Sequence, residues 1–304
     1  MSNILKLFLI SLVISLPIWW GANLFQQGFE NYLFAKTTVP NSQVLTAEMV
    51  GTLLNPPQKE LNIQAKSAFS ILTEEGQQGW TVVYEQNEKL RLPIASLTKL
   101  MTALVVLENY DLNQQVMISK AAVDQDETIG QLRVGEILSV KDLLYMTLIE
   151  SSNDAAYALS ELIGVNNFIE VMNWQAKNMG LKNTHFVNPN GLDDPKNYSS
   201  AQDLAILIKN LLSKPLLWNI LQTSEYKVYM PEGKLHHMAK NTNILLGEES
   251  QWQNKIYGGK TGWTLDAKGC LALVIKDGGS YLINIILGAD DRFGEMKNLI
   301  NNEL

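Results

Sequence analysis

Strand-like patterns stand at both ends of the folded part of this 304-residue chain, with a long helical block between them, and that order constrains the fold most. At the early end, AFSILTEEGQQGWTVVYEQNEKLRL holds two β-rich runs around Gly76 and Gly79, with a polar turn at Gln86 to Lys89, as in a small antiparallel meander. At the late end, CLALVI and YLINIILG flank Lys276 to Ser280, where Asp277-Gly278-Gly279 supplies a hairpin turn. Between them Pro93 breaks the first β pattern. ASLTKLMTALVVLEN follows with apolar residues at Leu97, Leu100, Met101, Leu104 and Leu107, a helical period that puts Ser96 at or near a helix start. Ser139 with Asp142, and Ser200 with Asp203, are spaced as capping boxes ahead of LLYMTLIE and LAILIKNLL. Further helices are expected over Asp154 to Ile163, Asn167 to Met179 and near Phe293 to Leu304. The early and late strands then join one antiparallel sheet flanked by helices, with a helical lobe beside it and a cleft between the lobes, an α+β fold.

Ahead of this block, Leu7 to Phe25 is a run of 19 residues without a charge, just after Lys6 and with Trp19 and Trp20 near its far end. That is long enough to cross a bilayer, and the small-x-small site that cleavage needs is poor around Gly21 and Ala22. The expected organisation is a short cytoplasmic tail over 1–6, a transmembrane signal anchor over 7–25, a linker over 26–62 containing Pro40, Pro56 and Pro57, and a folded domain over 63–304. Such an anchor places the domain on the extracytoplasmic side of the cell membrane, where nucleotide is scarce, and the chain has no G-x-x-x-x-G-K-[ST] loop.

The formal net charge of −7 and the absence of a basic stripe argue against nucleic acid as a partner. The single cysteine, Cys270, sits in the apolar run GCLALVI, where it reads as a small buried hydrophobe. The three histidines, His185, His236 and His237, have no zinc-site spacing, so neither a metal nor another cofactor is expected.

Three short elements carry chemistry. Ser96-Leu97-Thr98-Lys99 puts a hydroxyl and an amine on one face of a helix, a nucleophile beside a base. Alone this spacing is weak, since on the order of one match is expected by chance in such a chain. Ser224 to Lys227 is a second match, but in SEYKVYM, a strand pattern that turns residues three apart to opposite sides. Ser151-Ser152-Asn153-Asp154 lies between two helical runs, where Ser152 or Asn153 suits a helix N-cap while Ser151 and Asn153 point into a cleft. Gly258-Gly259-Lys260-Thr261-Gly262, ahead of Trp263, reads as a strand whose backbone is closely approached and along which a peptide could pair. The order of the three elements is far more specific than any one of them.

With these motifs the chain resembles the low-molecular-mass penicillin-binding proteins, specifically the serine D-alanyl-D-alanine carboxypeptidases. PIASLTKLMTALVVLE, LLYMTLIESSNDAAYALSE, MGLKNTHFVNPNGLDD, YSSAQDLAILI and GGKTGWTLDAKGCLAL carry the likeness over roughly 63–304. The resemblance implies a β-lactamase/DD-peptidase-like fold. It implies that Ser96 attacks the penultimate D-alanine carbonyl of a peptidoglycan stem peptide, that Lys99 takes its proton, and that Ser151 relays a proton to the departing D-alanine. Asn153 would hold a substrate amide, Lys260 and Thr261 would bind the terminal carboxylate, Gly262 and Trp263 would complete the substrate-binding residues, and the backbone N–H groups of Ser96 and Trp263 would form the oxyanion hole. β-Lactams should acylate the same serine. The family's middle element usually has Gly, Ala or Asp where Ser152 stands. The chain ends at Leu304, directly after this domain, so the N-terminal segment is expected to supply the anchoring.

Three other readings compete. A class A β-lactamase needs a glutamate between the second and third elements; THFVNPNGLDD has none, and Glu170 sits in a helical pattern on what reads as a solvated face. An endopeptidase cutting crosslinked peptides would use the same apparatus. A membrane-tethered binding module would have lost turnover, against which Ser96, Lys99, Ser151, Asn153 and Lys260 are all present.

Overall fold

The computed structural model describes residues 61–302 except 78, 127–130 and 249–251. The expected tail, membrane anchor and nearly all of the linker therefore lie outside the described residues. The chain opens with β1 (Ser67–Glu74) and β2 (Thr81–Gln86). A 3-10 turn (Ala95–Thr98) then runs into α1 (Lys99–Asn109), followed by β3 (Gln115–Met117), α2 (Lys120–Val123) and β4 (Ile137–Ser139). The helical block continues with α3 (Val140–Ile149), α4 (Asn153–Glu161), α5 (Val165–Asn178), α6 (Ala201–Leu211) and α7 (Pro215–Leu221). A hairpin of β5 (Glu225–Tyr229) and β6 (Leu235–Lys240) precedes β7 (Ile256–Thr264), β8 (Lys268–Asp277), β9 (Ser280–Ala289) and α8 (Arg292–Asn301).

The early and late strands form one antiparallel sheet in the order β2-β1-β9-β8-β7. β9 lies at its centre, and its near-continuous apolar run serves both faces. Ile283, Ile285 and Leu287 pack into the core shared with the helical lobe, while Leu282 and Ile286 meet Met296, Leu299 and Ile300 of α8 on the other side. This period of two is the strand repeat, and burying each such side chain stabilises by about 1.5–3 kcal/mol. Asn284, the polar residue in the run, is satisfied by the Ser70 hydroxyl at 2.8 Å. Cys270 is buried beside this core, and burial pushes its thiol up to about 11, as suits a packing residue.

In the helical lobe α1 is enclosed from Lys99 to Val106. The serine half of both expected capping boxes forms: the Ser139 and Ser200 hydroxyls accept from the N–H groups of Asp142 and Asp203. The β3–β4 ladder and the β6 half of the second hairpin carry no alternation strong enough to announce them; QVM and ILS are three residues long, and LHHMAK mixes polar and apolar residues without a period.

Candidate active site

Pro93 ends the incoming extended segment, and the chain tightens into the 3-10 turn that carries Ser96. Ala95 sits there at φ 48°, a left-handed conformation that costs a non-glycine residue about 1–3 kcal/mol and persists only where its surroundings impose it. One turn on, Lys99 Nζ lies 2.7 Å from Ser96 Oγ, 2.6 Å from Asn153 Oδ1 and 2.6 Å from the Asn190 carbonyl oxygen. Lys99 is fully enclosed.

The second element is the corner between α3 and α4. Ser152 caps α4, its hydroxyl accepting from the Ala155 N–H at 3.0 Å, and Ser151 stands just outside the helix at φ 66°. Both compatible readings of this stretch are present together. Asn153, besides facing the cleft, donates from Nδ2 to the Asp126 carbonyl at 2.9 Å, which holds its oxygen toward Lys99.

The third element is strand β7, packed edge-on to the Ser96 turn. A Cβ at Gly262 would stand 3.0 Å from the Ser96 backbone nitrogen and equally near the Ile94 carbonyl oxygen, a tight contact that glycine spares the strand and the turn. Lys260 is buried and donates from Nζ to the Ser151 hydroxyl at 2.8 Å and to the Thr261 carbonyl at 2.9 Å. Burial, and secondarily the Arg292 cation, push its amine down to about 7. The Thr261 hydroxyl is 2.6 Å from that of Thr242.

These elements converge on one cavity of about 430 Å³, lined by Ser96, Ser151, Asn153, Thr261, Gly262 and Trp263, with Thr242 and Arg292 completing the wall. Lys99 and Lys260 sit behind this lining, each reaching a serine. Thr242, Arg292 and Asn190 lie outside the three sequence elements. Arg292 donates to the Gly262 carbonyl at 3.1 Å, and its buried Nε has no hydrogen-bond partner among the described residues. A signal for it existed: a cation in the first turn of a helix opposes the helix dipole, and such a residue needs another reason to be there. Asn190 belongs to an Asn-Pro-Asn-Gly turn, where only the tertiary fold shows its carbonyl meeting Lys99. The second S-x-x-K match lies elsewhere, with Lys227 exposed on β5. Glu170 is exposed on α5, and no glutamate lines the cavity among the described residues.

A model of the D-alanyl-D-alanine carboxypeptidase family, Peptidase S11, matches residues 54–291. D-alanyl-D-alanine carboxypeptidase DacF of Bacillus subtilis is 36% identical over 238 residues, covering 76% of this chain and 59% of that protein. The chain therefore spans less than two thirds of that relative's length. A D-alanyl-D-alanine endopeptidase of Pseudomonas aeruginosa is 34% identical over 222 residues, covering 72% of this chain and 70% of that protein. The crystal structure of the Streptomyces K15 DD-transpeptidase superimposes with a TM-score of 0.72 at 30% identity, covering 80% of this chain and 97% of that one.

Proposed function

Since the chain belongs to the D-alanyl-D-alanine carboxypeptidase family, we propose that it is a serine DD-carboxypeptidase removing the terminal D-alanine from peptidoglycan stem pentapeptides through an acyl-enzyme on Ser96. The observation that carries the reading is the pairing of each cleft serine with its own buried lysine, Ser96 with Lys99 and Ser151 with Lys260.

A neutral lysine amine has two hydrogens and one lone pair. Two carbonyl-type acceptors, Asn153 Oδ1 and Asn190 O, take the hydrogens, and the lone pair is left toward the Ser96 hydroxyl. Lys99 then accepts the Ser96 proton as Oγ bonds to the penultimate D-alanine carbonyl carbon. The oxyanion forms where the Ser96 N–H, at the start of a helical turn, can meet it, with the Trp263 N–H as the second donor. Collapse breaks the C–N bond. Ser151 gives its proton to the leaving amine and regains one from Lys260, whose amine near 7 exchanges protons readily at neutral pH. Water then cleaves the ester: it gives a proton through Ser151 to Lys260, its oxygen bonds to the carbonyl carbon, and Ser96 Oγ leaves with the proton that Lys99 returns.

Arg292, with an unpartnered buried N–H beside Gly262, and the Thr261 hydroxyl supply the recognition of the terminal carboxylate. Lys260 adds its charge from behind Thr261. β-Lactams acylate Ser96 by the same route, and the adduct is long-lived because no glutamate lines the cavity to activate water, among the described residues. The 19 uncharged residues from Leu7 to Phe25 support a single-pass anchor in the cell membrane with the domain outside it.

Mass spectrometry of a pentapeptide muropeptide and of a crosslinked dimer, after incubation with wild type and with Ser96→Ala, tests this reading. Loss of one D-alanine from the pentapeptide, with wild type only, is the expected result. The likeness to a protein named an endopeptidase favours a second reading, and cleavage of the dimer in preference to the pentapeptide would establish it instead. Unchanged products from both substrates would leave a binding module, and rapid penicillin turnover a β-lactamase.

A further inference from the structure

Adjacent residues on a strand face opposite sides, so His236 and His237 on β6 should not meet. Their Nδ1 atoms are 2.6 Å apart. The ladder explains it: Val228 pairs with His237 and Tyr229 with Leu235, which leaves His236 as the extra residue of a bulge, turned toward its neighbour. The outer nitrogens of both rings are engaged as well. His236 Nε2 lies 3.2 Å from Glu136 Oε2, and His237 Nε2 lies 2.9 Å from Glu150 Oε2. Three contacts thus link four side chains in a row.

Each contact needs one hydrogen. Two neutral imidazoles carry two and ionised carboxylates carry none, so the row holds one proton more than that state supplies. With both rings fully protonated, two N–H groups confront each other at the histidine pair. With the extra proton gone, one contact sets lone pair against lone pair. The arrangement fits a single protonation state and fails on either side of it.

The row ends beside the catalytic corner. Glu150 closes α3, its Oε1 is buried with no hydrogen-bond partner among the described residues, and the next residue is Ser151 at φ 66°. From its other end β6 runs on to Thr242, which donates to the Ile149 carbonyl at 3.0 Å and bonds Thr261. The row therefore fastens the hairpin to the helix end that carries Ser151.

We infer that Glu136, His236, His237 and Glu150 form one proton-holding chain that positions the Ser151 corner, and that acyl transfer depends on this chain keeping its single extra proton. The inference rests on the acyl-transfer reading above. Other charged and titratable groups near the pair have their own places. On α3, Asp142 accepts the Tyr226 hydroxyl at 2.9 Å and Lys141 lies over the Tyr145 ring. On the hairpin, Lys240 pairs with Glu225, and Lys227 is exposed. Arg133, exposed before β4, holds Glu136 through its backbone N–H at 2.8 Å. Lys260, on the cleft side of Ser151, has its amine lowered to about 7, so a pH profile of wild type alone is not enough.

The test combines histidine-labelled NMR of the full chain in detergent with acylation by a fluorescent penicillin, both across pH. His236 and His237 are expected to share one proton across their Nδ1 contact, so that their ring-nitrogen signals change together with pH. Glu136→Gln removes a carboxylate that holds this proton, so the proton leaves at lower pH. The coupled titration and the alkaline limb of the acylation rate are expected to move together, by about half a pH unit or more. His236→Gln abolishes the coupled titration and lowers acylation roughly threefold or more where the wild-type chain holds its proton. Independent titration of the two rings overturns the inference. So does a limb that stays in place while the titration moves, the result a merely structural row would give. Wild type that takes no penicillin overturns the acyl-transfer reading and with it the positioning role, while the titration still reports whether the row shares a proton.

Discussion

Lys260 reaches from β7 to the Ser151 hydroxyl at 2.8 Å, so the cation of the third sequence element is tied to the second element and enclosed behind the cavity wall. That enclosure makes the residue costly to the fold. Its amine falls from 10.5 to about 7 because burial disfavours the ammonium. Between those values the unfolded chain binds the proton and the folded one does not, so this group's contribution to stability rises with pH from about 7 to 10.5, and its penalty is full below 7.

Lys260→Met removes that penalty. The variant is expected to melt above wild type at pH 6, with the difference narrowing by pH 9, in thermal denaturation followed by circular dichroism. Penicillin acylation should fall by about 10²-fold or more. A melting difference independent of pH would show that the buried charge is not its source.

Gly191 and Gly135 share a left-handed backbone, at φ 86° and 85°, in different surroundings. A Cβ at Gly191 would stand 2.0 Å from the Ala95 carbonyl oxygen, whereas one at Gly135 meets nothing within 4 Å. Gly135→Ala is expected to cost about 1–2 kcal/mol, the backbone term alone. Gly191→Ala must also displace the Ser96 turn, and is expected to cost more than about 2 kcal/mol and to lose most acylation. Equal costs in urea denaturation would mean that the loop yields without moving the turn.

Ser151 and Ser152 are neighbours with separable work. Ser152→Ala removes the α4 cap and is expected to cost about 1 kcal/mol while acylation stays within about threefold. Ser151→Ala takes one of the hydrogen-bond partners of buried Lys260 and is expected to cost about 1–3 kcal/mol, while lowering turnover by about 10²–10⁴-fold. Paired melting and turnover measurements check both, and a reversal of the two effects on activity would reassign the corner.

Much of this molecule is legible locally. Periods of two and of 3.6, the Asp277-Gly278-Gly279 turn and the two serine caps determined where the main strands and helices lie, because each depends on residues within a few positions of one another. Those same patterns leave Ser96 with Lys99 and Ser224 with Lys227 equal in spacing. Strand geometry separates them in the sequence, and burial separates them in space: Lys99 is enclosed and Lys227 exposed.

What only the tertiary structure decided is which distant groups complete each lysine. Lys99 meets Asn153 and Asn190, 54 and 91 residues away, and Lys260 meets Ser151, 109 residues away. Arg292 reaches Gly262 from the first turn of α8, 30 residues away, and the His236 bulge exists only because two strands paired out of step. Contacts of that range follow from how the sheet and lobe pack, and no local period encodes them. The order of the three elements determined by itself that Ser96, Ser151 and Lys260 belong together; the fold decided that Lys260 serves Ser151 from behind the wall, where removal from water lowers its amine.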